Sequence, residues 1–66
     1  MISVMSHGEK FVRLDSFFDI EKGTAEFRIS TNYGGQYLVE KYTDFAKAAK
    51  AYRNYAKKIQ EEKAAA

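Results

Sequence analysis

The period of the apolar residues changes once along this chain, and that change limits what it can fold into. Up to Tyr42, apolar and polar side chains alternate; from Phe45 onward, apolar and small residues return every three or four positions. A period of two divides side chains between the two faces of a strand, whereas a period near 3.6 gathers them into one stripe on a helix. Strands followed by one helix predict an α+β chain, with a sheet buried on the side that the helix covers.

The glycines divide the alternating part into segments. "FVRLDSFFDI" predicts a strand over 11–20, with Val12, Leu14, Phe18 and Ile20 of one parity and Ser16 the polar exception. The turn "EKG" ends on Gly23, and "TAEFRIS" predicts a second strand over 24–31 with Ala25, Phe27 and Ile29 inward. "TNYGG" reads as a loop, and "QYLVEKY" as a third strand over 36–42. Tyr37 and Val39 set its expected inward parity; Leu38 and Tyr42 favour the other, and a bulge near Glu40 would turn Tyr42 inward as well. Short loops between successive strands predict a three-stranded antiparallel meander, giving a βββα order in a single domain over 1–66 with mobile ends.

The helix is expected over 44–62. Thr43 is placed to cap its first turn, with Asp44 complementing the positive end of the helix dipole. Phe45, Ala48, Ala49, Tyr52, Tyr55, Ala56 and Ile59 fall within about 120° of arc and form the core stripe. The alanines let the helix lie close to the sheet while the larger residues fill the gap. The tail "EEKAAA" extends no packing pattern and is expected to fray.

The residue types exclude much chemistry. With no cysteine and one histidine, the chain has no thiolate set and no second imidazole for zinc, so no metal or cofactor is expected. His7 falls in the expected mobile N-terminal segment beside Ser6, where nothing would hold a catalytic geometry. Gly34-Gly35 reads as a turn rather than a phosphate cradle. Asp15 and Asp19 lie four residues apart on one strand, about 13 Å, too far to work as a pair on one glycosidic bond. An enzyme, and with it a small-molecule substrate, is not expected. The absence of a long apolar run and of a secretory pattern, together with the lack of cysteine, predicts a cytoplasmic chain with no membrane partner.

Two short stretches carry a resemblance. Ala25-Glu26-Phe27-Arg28 is similar to the second strand of the plant ethylene-response-factor (Apetala-type) DNA-binding domain. Tyr42, followed six residues later by Ala48-Ala49-Lys50-Ala51-Tyr52, resembles that family's third-strand end and helix. Related domains stand at the N-terminus of phage-type tyrosine recombinases. The resemblance covers Ala25 to Ile59 and implies a three-stranded sheet on one helix, with the sheet entering the DNA major groove. The family reads DNA with Arg and Trp on the open sheet face; this chain has no Trp, and Gln36, Leu38 and Glu40 stand at third-strand positions of that pattern.

The surfaces left over suggest the function. The open sheet face is expected to carry Phe11, Arg13, Asp15, Phe17, Asp19, Glu26, Arg28, Leu38 and Glu40, with four acids against two arginines. A face of that sign repels phosphates, while aromatics and arginines among polar residues suit a protein partner. The leading expectation is therefore a small non-enzymatic binding protein that docks on a protein through this face. The recombinase resemblance implies a phage or mobile-element accessory protein, and an inhibitor of a host or defence complex fits that setting. DNA is the second expected partner, through Arg13 and Arg28 or through the basic outer helix face of Lys47, Lys50, Arg53, Lys57 and Lys58. Self-association through the third strand's edge would make a homo-oligomer.

Overall fold

The computed structural model describes residues 2–65. Among them, four strands and one helix follow one another: β1 (Ile2–His7), β2 (Lys10–Asp19), β3 (Thr24–Tyr33), β4 (Gln36–Tyr42) and α1 (Phe45–Ala65). The strands form one antiparallel sheet in the order β1-β2-β3-β4, so each lies beside its neighbour in sequence.

The sheet therefore has one strand more than the expected three. Ile2 to His7, expected to be mobile, pair along β2 from Ile2↔Asp15 to His7↔Lys10. The alternation there is weak, because both faces mix apolar residues with Ser or His. The stronger signal was the hairpin: Gly8 takes a positive φ of 63° at the first position of a two-residue turn. His7 thus ends a strand, and the Met1 and Ala66 ends of the chain lie outside the described residues.

The other boundaries shift for identifiable reasons. β2 starts at Lys10 and stops at Asp19, whose carboxylate accepts the amides of Glu21 and Lys22 at 3.0 and 3.2 Å and opens a turn. Ile20 is in that turn rather than in the core. β3 continues past Thr31 through Asn32 and Tyr33, expected in a loop; the turn needs only Gly34 and Gly35, with φ of 66° and 86°. Positive φ at both central residues is what a type I′ hairpin turn requires. The helix begins at Phe45, and its cap is Asp44 rather than Thr43: Asp44 Oδ1 accepts the Ala46 amide at 2.8 Å.

The helix lies across one face of the sheet. Val12, Leu14 and Ile29 from the sheet meet Ala48, Ala56 and Ile59 from the helix, and all six are buried. Met5, Phe27, Tyr33, Tyr42, Ala51, Tyr52 and Tyr55 ring this small core. Thr31 is buried with them, and its hydroxyl has no hydrogen-bond partner. Two carboxylates fasten the helix to the sheet rim. Glu62 accepts Lys10 Nζ at 2.6 Å and the Tyr33 hydroxyl at 2.6 Å, and Glu40 accepts the Tyr42 and Tyr55 hydroxyls at 2.5 Å each. The helix runs on past Glu62 to Ala65, through residues expected to fray.

Candidate protein-docking face

Register fixes which residues share the open face. The pairs Ile2↔Asp15, Asp15↔Arg28 and Arg28↔Lys41 make one row across all four strands; Val4↔Arg13, Arg13↔Ser30 and Ser30↔Val39 make the next. A third row runs through Ser6, Phe11, Asn32 and Tyr37. Of the residues expected on this face, Phe11, Arg13, Asp15, Phe17, Asp19, Glu26 and Arg28 have that parity.

Leu38 and Glu40 do not. They share the helix side of β4 with Gln36 and Tyr42, while Tyr37, Val39 and Lys41 face outward, and no bulge interrupts the pairing from Tyr33↔Gln36 to Phe27↔Tyr42. The expected inward parity of β4 is thus reversed. The two-residue turn decides it, since Tyr33 and Gln36 pair directly and every later side chain follows. The electrostatic expectation falls with it. Glu40 leaves the open face and Lys41 joins it, so Asp15, Asp19 and Glu26 now balance Arg13, Arg28 and Lys41. Asp19 is further occupied by its turn amides.

The remaining charges are mostly paired within the face. Arg13 Nε lies 2.8 Å from Asp15 Oδ1, and Arg28 donates to Glu26 Oε2 through Nε at 3.0 Å and through its terminal nitrogen at 2.8 Å. The Arg28 guanidinium also stacks 4.3 Å from the centre of the Phe17 ring. Phe11 and Tyr37 meet at 6.3 Å between ring centres. Ile2, Val4, Phe17, Tyr37 and Val39 remain exposed between these groups. The face has no net charge, its guanidinium groups are held in place by paired acids, and apolar side chains stand exposed between them.

The sheet is not equally wide along its length. Among the described residues, pairing of β1 reaches Asp15 on β2, and pairing of β4 reaches Phe27 on β3. Beyond these points β2 and β3 continue as a two-stranded arm through Phe17↔Glu26, Phe18↔Ala25 and Asp19↔Thr24. Phe18 and Ile20, expected inward, are 66% and 85% exposed, because the arm extends past the part of the sheet that the helix covers. A recess of about 410 Å³ opens along the arm, lined by Phe17, Asp19, Lys22, Glu26, Arg28 and Thr43 among others.

No family model, curated protein or solved structure matches this chain. The remaining sequence-marked residues lie on the helix. Lys47, Lys50, Arg53, Lys57 and Lys58 are all exposed, with Lys58 Nζ 5.9 Å from the Tyr55 ring centre. Among the described residues no group of His, Asp and Glu is placed to hold a metal ion, and no helix is long and apolar enough to cross a membrane.

Proposed function

We propose that this chain is a non-enzymatic binding protein that docks on a protein partner through its open sheet face and the β2–β3 arm. The observation that carries the reading is the arm itself: Phe17, Phe18 and Ile20 stand exposed on a two-stranded ribbon that neither helix nor neighbouring strand covers. Clustered exposed apolar residues on a small protein mark interaction surfaces more often than scattered ones do. The Arg28–Phe17 stack adds an aromatic and a guanidinium, the residue types that dominate binding energy at interfaces. The neutral charge of the face leaves no long-range preference for phosphate and suits a partner recognised by shape and apolar contact.

The test is capture from a lysate with and without nuclease, using the wild-type chain and the double variant Phe18→Ser, Ile20→Ser. Both residues are exposed, so the variant keeps its fold by circular dichroism. The expected result is a nuclease-resistant partner bound by the wild type, with affinity reduced at least about tenfold in the variant, as loss of interface anchors produces. Equal affinity for the two proteins overturns the reading.

A second reading is favoured by the exposed cations of α1. Lys47 to Lys58 span about 16 Å along the helix, a surface that could contact a phosphate backbone without reading bases. The resemblance to the ethylene-response-factor family implies DNA as well, but through the sheet, where Arg13 and Arg28 would make the contact. This reading requires duplex affinity that falls steeply with salt; no mobility shift at low salt removes it.

A further inference from the structure

The two edges of the sheet differ. β1 has exposed Ile2 and Val4 on the open side, but its other side, Ser3, Met5 and His7, is partly covered, with Met5 packed against the core. The first half of β4 is bare on both sides: Tyr37 is 64%, Leu38 50% and Val39 43% exposed. The helix meets β4 only toward its end, where Glu40 and Tyr42 are half-buried, and no residue of that strand is fully buried. Three consecutive exposed apolar residues on an uncovered edge are what proteins ordinarily avoid unless the edge is used.

Register also decides which backbone groups are free. Tyr33 and Gln36 flank a two-residue turn and exchange both of their backbone hydrogen bonds. Alternation then directs the amides and carbonyls of Gln36, Leu38, Glu40 and Tyr42 toward β3. Those of Tyr37, Val39 and Lys41 point out of the sheet.

We propose that β4 is the seam of a two-fold dimer, in which it pairs antiparallel with β4 of a second copy and Val39 lies on the axis. Val39 faces Val39, and Tyr37 faces Lys41 of the second copy twice, so every outward backbone group of these residues finds a partner. On the open side this sets each Lys41 ammonium against a Tyr37 ring, a favourable cation–aromatic pair. On the helix side Leu38 sits opposite Glu40 of the second copy, and the two Leu38 side chains meet diagonally across the axis. Moving the axis to position 40 opposes two Glu40 carboxylates, and moving it to position 38 sets Lys41 beyond the strand against Gly35. The sheet becomes eight-stranded, with both open faces on one side and the two arms at opposite ends. The inference does not depend on the docking function, because its readout is mass rather than partner binding.

Sedimentation equilibrium tests it. The wild type is expected at twice 7.6 kDa. Val39→Pro removes an outward amide, which an edge strand tolerates, and should return the mass to that of one chain with an unchanged circular dichroism spectrum. If that variant unfolds, Tyr37→Lys places like charges opposite each other and should weaken the dimer about tenfold. Amide exchange gives the geometry: Tyr37, Val39 and Lys41 should be protected in the wild type and fast in the monomeric variant. A single-chain mass up to millimolar concentration overturns the proposal. So does a dimer indifferent to both variants, a mass that climbs without a plateau, or fast exchange of those three amides in the dimer.

Discussion

Glu40 shows how one side chain can be legible in type and misplaced in space. On the open face it would have been one acid among four; on the helix side it is a carboxylate gripped by two phenols. The hydrogen bonds from Tyr42 and Tyr55 hold its carboxyl below the ordinary carboxylate range, and the same bond with burial pushes the Tyr55 phenol up to about 12. Tyr33 is raised in the same direction by its bond to Glu62, and Glu62 is lowered chiefly by its bond from Lys10. The signs define two limbs of a stability profile. A phenol raised above its ordinary 10.0 contributes stability that is complete below pH 10 and is lost as pH climbs toward 12. A carboxyl depressed below its ordinary 4.5 contributes stability that is complete above that pH and is lost as pH falls through its folded value. Melting temperature followed from pH 2 to pH 12 should therefore fall at both ends. Tyr55→Phe should flatten the alkaline limb, and a Tyr55→Phe profile that overlays the wild type would show that the Glu40 grip contributes nothing.

At the scale of elements, much of the fold was legible. The period of β3 was read correctly at Phe27, Ile29, Glu26 and Arg28, because two full alternations leave one consistent parity. The helix was legible from Ala48 to Ile59 because small and large residues fall on one arc, whereas Phe45, expected in that stripe, is 46% exposed. β1 was hidden because Ser3, Met5 and His7 do not contrast with Ile2, Val4 and Ser6, and its pairing comes from β2 rather than from its own pattern. The parity of β4 was hidden because Tyr37, Leu38 and Val39 are all apolar, so the turn alone sets it. The arm was misread for the opposite reason: Phe18 and Ile20 obey the alternation, but the helix that would cover them does not reach that far. If the turn sets the register of β4, strain there should be measurable. Gly34 has no atom within 4 Å of a built Cβ, so Gly34→Ala costs backbone strain alone, about 1–2 kcal/mol. Gly34→Asn should cost less, because Asn tolerates that conformation. Urea melts with unchanged slopes would measure both, and equal stability of Gly34→Ala and wild type would count against a positive φ at that position.

On the scale of the whole molecule, shape and charge separate two surfaces. The described chain measures 46 × 21 × 15 Å, long and thin for 66 residues, and the β2–β3 arm is one of its projecting parts. Net charge of +2 hides the division: the open sheet face balances its acids and bases, while the outer face of α1 carries five exposed cations. The chain also passes through its sheet in strict order, each strand turning back on the one just made through turns of two or four residues. It contains no proline. Nothing in such a path has to wait for a distant strand to arrive or for an imide bond to rotate, a process that takes tens of seconds. Diluted from denaturant to a concentration too low for copies to pair, the chain should regain its signal in a single exponential complete within about a second, with no slow tail even after long incubation unfolded. A second, slower phase would mean that some step other than strand-by-strand zipping governs how the molecule is made.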